Sequence, residues 1–262
     1  MKYTMLLVEK KEKIGTITFN RPEKLNALNE QSFNEFIEAL SDMERDSEIS
    51  VVVITGAGRA FSAGLDLDEA RSGPRESALQ VVPIQGTVAW IPHIMRNIRQ
   101  PIIASINGPA VGAGFTIALA CDIRIASEEA QMSAPFVRVG LIPELGSTYY
   151  LPRLIGVAKA CELVFTGKMI GAKEAREIGL VNEVVAKDEL EAATYKMARE
   201  IAQAAPIPLQ LAKKALYQGL DSDLVSQIQF EQLGQSTLFK SEDFREGIKA
   251  FLEKRRPLFK GK

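Results

Sequence analysis

The sequence is poor in the side chains that most often hold metals or act as nucleophiles. Its 262 residues include one histidine, two cysteines and one tryptophan. A Ser/His/Asp triad would have to use His93, which we interpret as a helix position in "WIPHIMRNIR". Cys121 and Cys161 lie far apart without metal-ligand spacing, so both are expected to be reduced, buried thiols. The sequence therefore predicts no metal site.

The chain also lacks an excess of either charge and any long apolar run. Its 32 basic residues nearly balance its 33 acidic residues, so no overall field favours a nucleic acid or a membrane surface. No stretch approaches the roughly 18 apolar residues of a membrane span, and the N-terminus offers only a short apolar run flanked by charges. We expect a cytoplasmic protein with no nucleic-acid or membrane partner.

What the chain does contain, over its first two-thirds, is an alternation of β-rich runs and apolar helices. Residues 3–8 and 14–19 predict a hairpin, and "SVVVITGAG" predicts a buried parallel strand. Asn29 is expected to cap a helix that ends near Arg45. In residues 102–126 a strand, a glycine loop, a helix and a second strand predict a crossover unit.

The last third is dominated by amphipathic helical segments near residues 187–204, 208–217 and 224–251. The predicted fold class is α/β, with a core over residues 1–195 and a helical region over residues 196–262. The polar segment 68–84 contains two prolines and is predicted to be a mobile loop.

Two loops rich in small residues, "AFSAGLDL" and "NGPAVGAGF", follow predicted strands. Neither matches a P-loop or a dinucleotide-binding fingerprint. One interpretation is tight turns. The other is that small residues let a ligand approach the backbone N–H groups, which could stabilise an anionic oxygen; these residues are Ala63, Gly64, Gly112, Ala113 and Gly114.

Glu144 is the only acid in "GLIPELGSTYYLPR". It could stabilise the first turn of a helix over residues 146–154. Alternatively it is a catalytic carboxylate whose pKa is raised by apolar neighbours, namely Phe136, Leu141, Ile142 and Leu145. These local residues leave both interpretations open.

Five motifs in order, "FSAGLDL", "INGPAVGAGFTIALACDIRIAS", "GLIPELGSTYYLPRLIG", "TGKMIGAKEAREIGLVNEVV" and "REGIKAFLEKRRPLFKG", resemble the crotonase superfamily, the enoyl-CoA hydratase/isomerase group. The resemblance implies a crotonase-like spiral of ββα units followed by a C-terminal helical trimerisation region. It also implies a homotrimer or homohexamer and an acyl-CoA substrate. No separate cofactor is expected, because coenzyme A is part of the substrate.

The same resemblance implies roles for individual residues. The N–H groups of Ala63 and Ala113 would form the oxyanion hole, and the substrate or coenzyme A would contact Leu25, Ala27, Asp66, Leu67, Gly112, Pro135, Phe136 and Lys254. Asp66 could equally cap a helix. Lys254 lies in a basic tail that could instead be a solvated end.

The expected reaction depends on which of the family's catalytic positions carry an acidic residue in this sequence. Hydratases of this family use two glutamates, and the matching positions hold Thr116 and Phe136, neither of which can act as acid or base. Glu144 occupies a position at which several isomerase branches carry an acid; the phenylacetate-pathway ring-epoxide isomerase has aspartate there. We therefore expect an isomerase that uses Glu144 alone. The alternatives are a hydratase, a dehalogenase or hydrolase with Glu144 as nucleophile, a non-catalytic acyl-CoA binder and an RNA-binding relative.

Overall fold

The computed structural model describes residues 3–72 and 88–262. Its strands, in chain order, are β1 (Leu6–Lys11), β2 (Ile14–Phe19), β3 (Val51–Gly56), β4 (Ile102–Ile106), β5 (Ala110–Val111), β6 (Ile123–Ser127), β7 (Gln131–Ser133), β8 (Ile170–Gly171) and β9 (Glu183–Val185). Within the described ranges these strands form a six-stranded sheet in the order β1-β2-β3-β4-β6-β9 and a small sheet in the order β5-β7-β8. Successive main-sheet strands are therefore neighbours, as in a spiral.

The helices surround and extend these sheets. They are α1 (Glu30–Arg45), α2 (Leu67–Ser72), α3 (Ile91–Asn97), α4 (Ala113–Ala120), α5 (Ser147–Ile155), α6 (Val157–Thr166), α7 (Ala172–Glu177), α8 (Leu190–Ala202), α9 (Pro206–Gly219), α10 (Leu224–Leu238) and α11 (Glu242–Leu252). The start of the predicted loop 68–84 is thus helical through Ser72, and the rest of that loop lies outside the described residues.

The first two strands form the predicted antiparallel hairpin, and β2 then pairs in parallel with β3. The first strand was expected over residues 3–8 but is shifted toward the C-terminus. The reason is the turn, which is made by Glu12 and Lys13, both with positive φ. The charged residues 9–11 therefore pair in the strand, where the hairpin edge leaves their side chains exposed.

The buried core lies on both faces of the main sheet. On one face α1, capped as predicted by Asn29 through the N–H of Ser32, buries Phe33, Phe36, Leu40 and Met43. On the other face α8 packs against β3, β4 and β6. Cys121 is buried, whereas the expectation of a second buried thiol is wrong, because Cys161 is only half-buried; both cysteines are free.

The C-terminal region is helical, as predicted, but its last segment is divided. One helix was expected over residues 224–251, and the structure has α10 and α11. Ser241 causes the break, because its hydroxyl accepts a hydrogen bond from the N–H of Phe244 and so starts a new helix. The domain boundary after residue 195 stays a prediction; α8 runs across it.

Candidate active site

The two small-residue loops lie against each other. The N–H of Val111 donates to the carbonyl of Ser62 at 2.9 Å, and Ser62 forms a parallel bridge with Ala110. Gly64 has φ +88°, and a Cβ added to it would lie 2.6 Å from the Val111 carbonyl oxygen. The close contact between the loops therefore requires glycine at this position. It brings Ala63 and Ala113, the two expected oxyanion residues, into one region of the fold.

Ala113 is the first residue of α4, so its N–H belongs to the N-terminus of a helix. Gly112 precedes the helix with φ +54°, and its N–H donates to the carbonyl of Ser133 at 3.0 Å. The first N–H groups of a helix have no acceptor inside the helix and carry its partial positive charge. The N-terminus of α4 is therefore suited to bind a negative oxygen, and the oxyanion role of the Ala113 N–H stays a prediction.

Ala63 differs, because its N–H already has an acceptor. This group donates to the carbonyl of Leu25 at 2.9 Å. Leu25 has φ +53°, a backbone conformation that non-glycine residues rarely adopt. One expected oxyanion donor is therefore engaged inside the protein, by a residue in an unfavourable conformation that was itself expected to border the ligand.

The segment that contains Leu25 is held against the first loop by further main-chain bonds. The N–H of Leu28 donates to the carbonyl of Gly64 at 2.7 Å, and the N–H of Asp66 donates to the carbonyl of Leu28 at 2.9 Å. Ala27, which is buried, lies within this ladder. Four of the expected ligand-binding positions therefore cluster around one pair of segments: Leu25, Ala27, Asp66 and Leu67.

Arg21 is a site residue that the sequence analysis missed. Its Nη2 lies 3.0 Å from Oδ2 of Asp66, and its Nη1 donates to the carbonyl of Ala27 at 2.7 Å. Burial opposes the charge of Asp66, yet the hydrogen bond from Arg21 and one from the N–H of Glu69 lower the pKa of that carboxyl overall. Asp66 is thus an N-terminal cap of α2 and an ion-pair partner at once.

Of the other expected binding residues, Leu67 belongs to this cluster, whereas Lys254 does not. Leu67 is 59% exposed and available to a ligand or a partner. Lys254 follows α11, and the nearby residues 256–260 line a cavity together with Glu12 and Lys13. The hairpin turn is at the opposite end of β2 from the site loops. Within one chain, then, the tail does not bring Lys254 to the site.

The positions of the two missing hydratase acids are buried. Thr116 is fully buried, and its hydroxyl donates to the carbonyl of Gly112 at 3.2 Å. Phe136 begins a 3-10 helix, Phe136–Val139, after the half-buried Pro135, and its side chain belongs to the same apolar core as Ala113. Neither side chain can exchange a proton with a ligand.

Glu144 lies in a tight turn before α5. The N–H of Ser147 donates to the carbonyl of Glu144 at 3.0 Å, and the two residues between them have φ +52° and +74°. The helix is capped by Gly146 without a side-chain bond, and its first turn contains no acid, so the structure does not support the capping interpretation.

The Glu144 carboxylate has unusual surroundings. Glu144 is exposed as a residue, yet the protein packed around its carboxylate removes enough water to raise the pKa of that group above the ordinary value. Phe136 and Leu145 are buried as expected, whereas Leu141 and Ile142 are exposed. Within residues 3–72 and 88–262, no hydrogen bond or ion pair holds the carboxylate. Glu144 is thus an unpaired acid with a raised affinity for protons, as a proton-transfer residue requires.

Comparisons with known proteins identify the family and the fold. The family profile described as enoyl-CoA hydratase/isomerase matches residues 9–262. The chain belongs to the enoyl-CoA hydratase/isomerase family. The crystal structure of an enoyl-CoA hydratase from Geobacillus kaustophilus superposes with a TM-score of 0.92 at 36% identity, over 100% of both chains. The fold is therefore the crotonase fold, and the chain is an enzyme of a family that acts on acyl-CoA thioesters.

Curated relatives carry more than one activity in their names. A putative enoyl-CoA hydratase/isomerase of Bacillus subtilis is 40% identical over 98% of both chains. A short-chain-enoyl-CoA hydratase of Clostridium acetobutylicum is 37% identical over 98% of this chain and 97% of its own. A 1,2-epoxyphenylacetyl-CoA isomerase of Escherichia coli is 36% identical over 100% of both. Membership of the family therefore does not distinguish hydration from isomerisation. That distinction depends on the residues of the site.

Among residues 3–72 and 88–262, no helix is both long and apolar enough to cross a bilayer. The same residues contain no group of three histidine, cysteine or acidic side chains arranged to hold a metal ion.

Proposed function

We propose that this enzyme isomerises enoyl-CoA thioesters, moving a carbon–carbon double bond with Glu144 as its single proton carrier. The observation that carries the proposal is the state of Glu144, a carboxylate that has no partner among the described residues and whose pKa is raised by desolvation. The buried Thr116 and Phe136 support it, because they replace the two acids that water addition would use. Isomerisation needs only one group that takes a proton and returns it.

The proposed reaction begins with a 3-enoyl thioester whose carbonyl oxygen lies at the N-terminus of α4. Glu144 removes a proton from the α-carbon, and the electron pair moves into a dienolate whose negative oxygen accepts a hydrogen bond from the N–H of Ala113. The protonated Glu144 then returns the proton to the γ-carbon, which gives the conjugated 2-enoyl thioester. Protons and electrons balance, and water takes no part.

The second oxyanion donor in this proposal is the N–H of Ala63, which the carbonyl of Leu25 occupies at 2.9 Å. The thioester oxygen therefore shares this N–H or displaces Leu25. Leu25 has a positive φ, so a change of its backbone would relieve an unfavourable conformation. The proposed ligand contacts around coenzyme A are Leu25, Ala27, Asp66, Leu67, Gly112, Pro135, Phe136 and, from a neighbouring subunit, Lys254.

Self-association is part of the proposal. In the described chain α10 buries none of its residues, and large apolar side chains on α10 and α11 are exposed, including Leu224, Leu233, Ile248, Phe251 and Leu252. Apolar surface of this extent is typical of a contact between subunits. We propose a homotrimer or homohexamer in which these helices meet a neighbour.

The test compares the two reactions on the same preparation. We expect conversion of 3-hexenoyl-CoA to 2-hexenoyl-CoA to be at least about a hundredfold faster, in kcat/KM, than hydration of crotonyl-CoA, since one carboxylate cannot serve both roles in hydration. Replacing Glu144 by Gln should abolish the isomerisation. Hydration faster than isomerisation, with or without Glu144, would show that the enzyme is a hydratase.

A further inference from the structure

The serine three residues after Glu144 has a buried hydroxyl with no partner. Ser147 is 0% exposed, and its Oγ makes no hydrogen bond among the described residues. A buried hydroxyl without a partner costs free energy that folding must offset. An alanine would avoid that cost, so the position of this hydroxyl calls for a functional explanation.

Ser147 and Glu144 are joined by the turn between them. The hydrogen bond from the N–H of Ser147 to the carbonyl of Glu144, with Leu145 and Gly146 both at positive φ, is the pattern of a type I′ turn. The Cα atoms of the first and last residues of such a turn lie within about 7 Å of each other. A glutamate side chain is long enough to reach a serine hydroxyl over that separation.

The turn is rigidly supported, although one of its residues is in a disfavoured conformation. The side chain of Leu145 is buried in the core, which holds its backbone at φ +52°. Gly146 packs so closely on Tyr150 that an added Cβ would lie 3.2 Å from the ring, and the Tyr150 hydroxyl donates to the carbonyl of Pro92. Such a conformation persists only where the surroundings enforce it, and it occurs preferentially at functional sites.

Two polar groups that have no partner in the part of the chain that the structure describes therefore lie at the two ends of one rigid turn. We propose that Ser147 is a positioning residue for Glu144, and that its hydroxyl donates a hydrogen bond to the carboxylate when an acyl-CoA fills the site. This inference rests on the proposed role of Glu144. The bound ligand would exclude the remaining water from the carboxylate, which would favour a bond to the serine hydroxyl on the same turn.

Such a bond would serve the proton transfer in two ways. It would fix one carboxylate oxygen and leave the other to face the α- and γ-carbons of the substrate. A hydroxyl is both donor and acceptor and can rotate, so it could remain bonded after Glu144 takes up a proton. Because it favours the charged carboxylate, the bond would also lower the pKa of Glu144 in the complex.

The experiment measures the pKa of the carboxyl directly. Protein labelled with 13C at the glutamate side-chain carboxyl is titrated by NMR with and without bound butyryl-CoA, and the Glu144 signal is assigned by its absence from Glu144→Gln. In the complex, Ser147→Ala should raise the pKa of Glu144 by about half a unit or more. Ser147→Thr, which keeps the hydroxyl, should restore the original value. In the free protein the variants should not differ.

Stability and rate give independent readouts. Ser147→Ala removes an unsatisfied group, so its melting temperature should equal or exceed that of the parent protein, while kcat for 3-hexenoyl-CoA falls about tenfold. The matched control is Ser105→Ala: its hydroxyl is buried but bonded to Thr194 at 2.9 Å, so this variant should lose stability and keep the pKa of Glu144.

An unchanged pKa of Glu144 in the Ser147→Ala complex would overturn the inference, as would a loss of stability as large as that of Ser105→Ala. Full isomerisation by Glu144→Gln would instead overturn the proposed function, whatever Ser147 does.

Discussion

The carbonyl of Ser62 accepts a hydrogen bond from the N–H of Val111 at 2.9 Å, and this bond joins the two loops from which the site is built. The residues are 49 positions apart, on segments that follow β3 and β4. The contact next to it depends on Gly64, whose Cα lies against the Val111 carbonyl and the N–H of Ala113. The separation of the two alanines expected to bind the thioester oxygen is therefore set by backbone packing.

Gly64→Ala should separate these loops. The added methyl group would meet the Val111 oxygen at 2.6 Å, and φ +88° is unfavourable for alanine. A displacement of about 1 Å at a reacting centre can cost about a hundredfold in rate, so kcat should fall by about that factor. The control is Gly171→Ala in β8, where no atom lies within 4 Å of an added Cβ and φ is negative. The control variant should keep its activity, and an equal loss of kcat in both variants would contradict the prediction.

Much of this arrangement could be predicted from sequence because it depends on local patterns. The bounds of β2 and β4 and the cap of α1 follow from β-branched runs and from Asn29, and the structure confirms them. The break before α11 was missed, although Ser241 followed by two acids is a helix-start pattern. Because this pattern is as local as the one at Asn29, the start of α11 could also have been predicted from the sequence.

The contacts that complete the site could not be predicted in this way. Arg21 pairs with Asp66, 45 positions away in the sequence. The N–H of Ala63 donates to the carbonyl of Leu25, 38 positions away. No periodicity or cap connects such residues, since their contact depends on how whole strands are arranged. For the same reason the sequence showed that Ala63 could serve as a donor but not that its N–H has an acceptor.

Arg21→Met should destabilise the protein and weaken substrate binding. It would leave Asp66, which is 5% exposed, as a buried carboxylate without its partner. Loss of one partner of a buried ion pair costs about 3 to 5 kcal/mol in the free energy of unfolding, which denaturant titration measures. KM for the acyl-CoA should rise more than kcat falls, because the residue supports the ligand-binding segment. In the double variant Arg21→Met/Asp66→Asn much of the stability should return; a simple sum of the two losses would refute the coupling.

The pH dependence of the free energy of unfolding should also show the raised pKa of Glu144. Its pKa is higher in the folded protein than in the unfolded chain, because burial disfavours the charge. The folded state therefore binds the proton more tightly, and this residue reduces stability as pH rises from the ordinary glutamate value of about 4.3 through the raised value. Glu144→Gln should be more stable than the parent protein at pH 7, and the difference should disappear below pH about 4. A variant less stable than the parent at pH 7 would show that the carboxylate has a stabilising partner.

Ionisation of Glu144 should lower the stability of the protein but is required for its activity. The base that removes the α-proton must be deprotonated, so kcat/KM should fall as pH decreases through the raised pKa of Glu144. The midpoint of this acid limb should lie above about 4.3, the ordinary glutamate value. A rate profile that stays flat down to pH 4 would mean that a different group accepts the proton.

The most direct test of the account is the isomerisation rate of Glu144→Gln with 3-hexenoyl-CoA, beside the control Glu200→Gln on the exposed surface of α8. Glutamine keeps the size of the side chain but cannot accept the proton. A positioned acid–base group contributes about 10² to 10⁴ in rate, so kcat should fall by at least about a hundredfold while butyryl-CoA binds with unchanged affinity. The control should keep its full rate. Isomerisation by Glu144→Gln within a few-fold of the parent protein would contradict the central claim.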